Sequence, residues 1–204
     1  AQSKNYFYVG RGSGANSLVA YLLKITDVDP IELDLYFERF INLYRTNPPD
    51  FDIDFSWRDR QDVTRYIFRR FKHVALLATY NTFQYKAAVR ELGKVFGLPK
   101  HDIDKLSEGK FFYGDIDQIQ QLVVQYSQAL QDKPNYLSVH SSGIIIAEEP
   151  IHRFSATDLP PKGFPTTQFD MIISEDVGLY KFDILGQRGL AKIKECLEIV
   201  AYNK

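Results

Sequence analysis

The chain has 204 residues, 45% hydrophobic and 25% charged, with a formal net charge of −1. That is ordinary globular composition, enough for one substantial domain or one domain with a smaller insertion, and it confines any nucleic-acid or phosphate binding to local clusters. A single cysteine, Cys196, excludes an internal disulfide and fits a reducing compartment, and neither a signal peptide nor a bilayer-length apolar run of roughly 20 residues is visible.

Asn5 to Val9 reads as a short strand that runs into Gly10-Arg11-Gly12-Ser13-Gly14, and Asn16 to Lys24 has helical composition. A short helix is predicted around Leu33 to Phe40, and then a strand carrying alternate acids. Arg58 to Phe71 is a basic amphipathic helix with Val63, Ile67 and Phe71 on one face, and His73 to Tyr80 reads as a buried strand. Helices follow over residues 82–96, 102–106 and 116–131, an all-helical stretch that looks like an insertion between β-rich parts. Strands are predicted again at Ser142 to Ala147 and Gly178 to Ile184, separated by a Pro/Gly-rich loop at Asp158 to Thr167. From Gly189 onward the chain reads as a helix. A strand at one end and an unfinished helix at the other suggest a piece of something larger.

The acidic strand is Pro49-Asp50-Phe51-Asp52-Ile53-Asp54-Phe55. Successive strand side chains point to opposite faces, so Asp50, Asp52 and Asp54 share one face and the apolar residues the other. Crowded carboxylates repel unless a cation neutralises them, and hard oxygen ligands suit Mg²⁺. The same alternation also describes an ordinary half-exposed strand. A calcium-loop reading fails, because the turn glycine would fall on Phe55 and the bidentate glutamate on Gln61.

Strand, Gly10-Arg11-Gly12-Ser13-Gly14-Ala15, then helix is a phosphate-cradle arrangement, in which backbone N–H groups approach an anion. The spacing also satisfies the dinucleotide fingerprint with Asp34 downstream. That alternative needs a parallel βαβ unit and leaves the acidic strand unexplained. A third acid, Asp183, lies in Tyr180-Lys181-Phe182-Asp183-Ile184-Leu185-Gly186, with Lys181 two residues away on the same face. A lone Asp at a strand end is ordinarily a turn or cap residue. In order, however, a glycine-serine loop, a helix, a D-x-D strand and a later strand with a third Asp resemble the palm of polymerase-β-like nucleotidyltransferases.

The segments GRGSGANSLVAYLLKITDVDP, YFERFIN, PPDFDIDF, VALLATYNTFQYKAAVRELGKVFGLP, VHSSGIII and GLYKFDILGQRGL resemble the bacterial C-family replicative DNA polymerases, the alpha subunits of DNA polymerase III, over essentially the whole chain. The resemblance implies an α/β (α+β) fold: a nucleotidyltransferase palm with a mixed sheet, plus an inserted helical thumb. Residues 1–81 and 139–188 would be palm, 82–138 thumb and 189–204 the start of the fingers. It also implies two Mg²⁺ ions held with a deoxynucleoside triphosphate by Asp50, Asp52 and Asp183, leaving Asp54 outside the essential set. Gly12, Ser13, Arg39, Lys181 and Arg45 would meet the triphosphate. The family's HAAG reads His140-Ser141-Ser142-Gly143 here, where the histidine has a structural or a functional role. Implied partners are primer–template DNA, deoxynucleoside triphosphates and, in the longer parent, a sliding clamp and other replisome subunits; the implied location is the bacterial cytoplasm, at the nucleoid.

Lys86, Arg90 and Lys94 recur at i, i+4 and i+8, a basic stripe able to track duplex phosphates. The cluster Arg58, Arg60, Arg65, Arg69, Arg70 and Lys72 is either a solvated helix face or a DNA contact. Two expectations follow: a polymerase palm and thumb whose activity belongs to the intact parent, or a metal-, nucleotide- or DNA-binding module without catalysis of its own.

Overall fold

A computed structural model describes residues 1–45 and 48–203; Thr46, Asn47 and Lys204 lie outside the described residues. The chain folds as two compact units: residues 1–78 with 139–204 form the first, and residues 79–138 the second.

A mixed sheet organises the first unit. Its strands are β1 (Tyr8–Arg11), β2 (Asp52–Ser56), β3 (Val74–Thr82), β4 (Pro134–Ile146), β5 (Thr157–Asp158), β6 (Thr166–Thr167) and β7 (Lys181–Gln187), in the order β1-β2-β7-β4-β3-β6-β5. β1 runs antiparallel to β2, β2 parallel to β7, and β4 antiparallel to β7. The antiparallel β1–β2 pair removes the dinucleotide-fold alternative, which requires parallel strands at that point. Helix α1 (Leu18–Leu22) is shorter than predicted, and the segment expected to be helical around residues 33–40 holds only a helical turn at Phe37–Arg39.

Helix α2 (Trp57–Arg70) begins immediately after β2, where the Ser56 side chain accepts the Arg58 N–H. Val63, Ile67 and Phe68 of α2 pack on Phe55, Val74, Leu76, Ile144 and Ile184 of the sheet. Phe68 thus takes the place predicted for Phe71, which is 41% exposed just beyond the helix end. Ala75, Leu77 and Ile145 point the other way, into a second cluster with Ile151, Phe169 and Leu179. The centre of the sheet is therefore covered on both faces, and that is why β3 reads as a continuous apolar run rather than an alternating one. Helices α6 (Met171–Asp176) and α7 (Arg188–Tyr202) complete this unit, and α6 has no counterpart among the predicted elements.

The second unit contains α3 (Tyr85–Val95), α4 (Lys100–Ser107) and α5 (Gln118–Leu130). They enclose a separate apolar cluster of Val89, Leu106, Ile116, Val123 and Val124. A reciprocal pair of cap hydrogen bonds between Asp117 and Gln120 starts α5. Among the described residues no helix is long and apolar enough to cross a membrane.

Candidate active site

β2 and β7 lie side by side with Asp52 directly opposite Asp183. Ile53 is opposite Ile184 in the same register, and its apolar face joins the core shared with α2. Burying that face leaves Asp52, Asp54 and Asp183 on the other surface of the strands. Asp50 differs from expectation. It precedes β2 rather than belonging to it, and its side chain is 57% exposed, whereas that of Asp183 is 10% exposed.

The Asp50 carboxylate turns to the glycine loop. Ser13 donates to it through its backbone N–H at 3.2 Å and through its hydroxyl, and the Gly14 N–H donates to the Asp50 carbonyl at 2.9 Å. Two glycines are required for this approach. Gly12 has φ +91°, and a Cβ there would lie 2.7 Å from the Asp50 carbonyl oxygen; a Cβ on Gly14 would strike the Phe51 ring at 2.5 Å. The Ser13 donors expected to meet a triphosphate are thus occupied by Asp50. The Ser13 hydrogen bond is the main reason the Asp50 carboxyl is held below the usual carboxylate range, despite partial burial.

Arg11, whose sequence context marks it only as part of the loop, reaches across β1 to two acids. Its Nη1 is 2.8 Å from Asp52 Oδ2, and its Nε is 2.8 Å from Asp54 Oδ2. Asp54 is buried, with Gln187 Nε2 at 3.4 Å from its other oxygen. Arg11 compensates Asp52 only in part. Burial, opposed by Arg11 and reinforced by Asp183 and Asp50, raises the Asp52 carboxyl. Asp183 has the opposite balance. Burial would raise it, but hydrogen bonds from Lys181 and from Ser142 Oγ at 2.7 Å outweigh the burial and lower it.

Arg45 Nη2 is 3.5 Å from Asp50 Oδ1, and Arg45 also donates to the carbonyls of Arg39 and Pro48 at 3.1 Å. The Arg39 side chain is exposed and makes no hydrogen bond or ion pair among the described residues. Two members of the basic cluster are not free: Arg60 turns inward to the carbonyls of Ile184 and Ser141, and Arg58 pairs with Glu195 at 3.2 Å. Within the second unit, Lys86, Arg90 and Lys94 are all exposed on α3; Lys94 pairs with Glu91 at 2.7 Å.

Three carboxylates supply the hard oxygen donors that Mg²⁺ prefers. Asp52 and Asp183 meet that chemistry, since they adjoin one another and the burial of Asp52 is incompletely compensated. Asp50 is engaged elsewhere, and among the described residues no group of three His, Cys, Asp or Glu is gathered to hold an ion.

A family model described as the bacterial DNA polymerase III alpha NTPase domain matches residues 1–186. The chain belongs to the bacterial DNA polymerase III alpha family. Among its relatives are the error-prone DNA polymerase of Symbiobacterium thermophilum, 35% identical over 98% of this chain and 20% of the relative. The DNA polymerase III subunit alpha of Bacillus subtilis is 36% identical over 94% of this chain and 19% of its own length, and that of Escherichia coli K12 36% over 94% and 18%. The chain thus spans about a fifth of the length of these family members.

Proposed function

We propose that this chain is the palm and thumb region of a DNA-directed DNA polymerase that extends a primer 3′ end by nucleotidyl transfer during replication. Residues 1–81 and 139–188 are read as palm, 82–138 as thumb and 189–204 as the first part of the fingers. The observation that carries this is the pairing of Asp52 with Asp183 across β2 and β7, flanked by Arg11 and Lys181. Family membership and relatives named as DNA polymerases support the same reading.

Asp50, Asp52 and Asp183 would hold two Mg²⁺ ions, and bound there the ions would acidify the primer hydroxyl and neutralise the triphosphate and departing pyrophosphate. Phosphoryl transfer is mainly positioning and charge neutralisation. Lys181, Arg39 and Arg45 would therefore oppose negative charge developing on the phosphates, and the Gly12–Ser13 loop would orient them. Ser13 can donate to a phosphate only after it releases Asp50, so the same movement frees both the loop and the acid. Lys86, Arg90 and Lys94 would contact the backbone of the primer–template duplex. In the longer parent, a sliding clamp and other replisome subunits would be partners, in the cytoplasm at the nucleoid.

The engagement of Ser13 by Asp50 favours a second reading for the chain on its own: a metal-, nucleotide- or DNA-binding module without turnover. Primer extension by the full-length parent and by its Asp52→Ala variant tests the principal assignment. Extension should require Asp52 and be negligible for the isolated chain, and equal activity of the parent and its variant would sink the polymerase assignment.

A further inference from the structure

We propose that Ser142 is a positioning residue for Asp183, its buried hydroxyl fixing the carboxylate in the orientation in which it adjoins Asp52. The inference rests on the reading of Asp183 as a metal-binding acid. Ser142 is 5% exposed, and its Oγ donates to Asp183 Oδ1 at 2.7 Å. Lys181 takes the other oxygen, Oδ2. Donors on both oxygens remove the freedom of the carboxylate to rotate. Each oxygen has two lone pairs, so one on each is left for a cation.

The serine is itself held in place. His140 Nδ1 accepts the backbone N–H of Ser142 at 3.2 Å and that of Gly143 at 2.8 Å. Those contacts identify Nδ1 as an acceptor and give the histidine a role as a backbone brace. Gly143 stands directly opposite Asp183 in the β4–β7 register, where a Cβ would lie 3.1 Å from Leu77 Cβ. Arg60 donates to the carbonyls of Ser141 and Ile184, so α2 ties both strands beside the Gly143–Asp183 pair. The chain of support runs from α2 and His140 through the backbone of β4 to the Ser142 hydroxyl, and from there to the acid. Hydrogen-bond partners behind a metal-binding carboxylate orient it, and their loss typically weakens metal affinity by 10- to 100-fold.

The test is Mn²⁺ titration of the chain, followed by loss of the free-ion EPR signal. It compares wild type, Ser142→Ala, Ser142→Thr, Asp183→Asn and the Ser142→Ala/Asp183→Asn double variant. Ser142→Ala should weaken binding by about tenfold in the wild-type background and have no further effect once Asp183→Asn is present. Ser142→Thr should restore binding, because Ser142 borders a cavity of about 250 Å³ with room for the added methyl. Equal losses in both backgrounds would make Ser142 a general packing residue and overturn the inference. So would unchanged Mn²⁺ binding by Ser142→Ala when Asp183→Asn weakens it, an outcome that leaves the proposed function standing. Binding indifferent to Asp183→Asn, or no saturable binding at all, overturns the inference as well.

Discussion

Asp52 and Asp183 are direct partners across two parallel strands, yet their carboxyls shift in opposite directions. Their immediate partners account for the difference. Lys181 and Ser142 both donate to Asp183, whereas Asp52 has one ion pair with a half-exposed Arg11 and feels the charge of two neighbouring acids. Carbon-13 titration of the side-chain carboxyls in metal-free chain should find Asp52 taking up a proton first as pH falls, with Asp50 and Asp183 following below the usual carboxylate range. The stability consequences have opposite signs. Asp50 and Asp183, depressed by folding, stabilise the chain above their unfolded values, and that contribution is lost as pH falls through their folded values. Asp52, raised by folding, opposes folding while ionised and ceases to do so as pH falls through its own folded value. Titration of Asp52 below Asp183 would contradict this account.

Arg11 should matter for stability even without nucleotide or metal. Its Nε reaches the buried Asp54, so Arg11→Ala leaves that carboxylate with only the long Gln187 contact. An unpaired buried acceptor costs about 1–3 kcal/mol, and Arg11→Ala should lower the urea midpoint by a corresponding amount with an unchanged m-value. Arg11→Lys, a single point charge in place of a fork, should recover only part of that loss, because it cannot span Asp52 and Asp54 together.

The elements that carry the acids were legible in the sequence because their patterns have period 2 or 3.6. The strand through Asp52, Ile53 and Phe55 follows from side-chain alternation and helix α2 from an apolar stripe, whereas the strand at Val74 follows from a short continuous apolar run. What alternation could not convey was where the strand begins: Asp50 continues the pattern but lies outside β2, because the loop at Ser13 competes for its carboxylate. Arg11 was hidden for a related reason. Between two glycines it reads as part of the loop, and only the β1–β2 register sets it against Asp52. Ser142 gave no signal, since its role depends on β4 pairing with β7 in the register that puts Gly143 opposite Asp183. Helix α6 was missed because its six residues are too few to display a helical period.

Gly14 offers a test of the loop that is independent of catalysis. A Cβ there would meet the Phe51 ring at 2.5 Å, and Phe51 adjoins Asp50 in the chain. Overpacking of this kind typically costs about 1–3 kcal/mol. Gly14→Ala should therefore destabilise the chain by that order in urea denaturation and also displace Asp50 from Ser13, visible as an upward shift in the Asp50 titration, because the Ser13 hydrogen bond is what holds it low. Destabilisation without any change at Asp50 would show that the ring moves and the acid does not.

On α3, Lys86 and Arg90 are the cations with the most to contribute to a duplex, since Lys94 already has Glu91 at 2.7 Å. Their charges do act on Glu108, which Lys110 principally depresses and to which Lys86 and Arg90 add. If each neutralises one phosphate, replacing it with alanine should weaken duplex binding uniformly across sequences and reduce the slope of log K against log salt by about one. Lys94→Ala should change the slope less, because its ammonium must leave Glu91 before it can meet a phosphate. The measurement is fluorescence anisotropy of a labelled primer–template over a salt series with the chain and each variant. Slopes identical to wild type for both Lys86→Ala and Arg90→Ala would assign the stripe to solvent rather than to DNA.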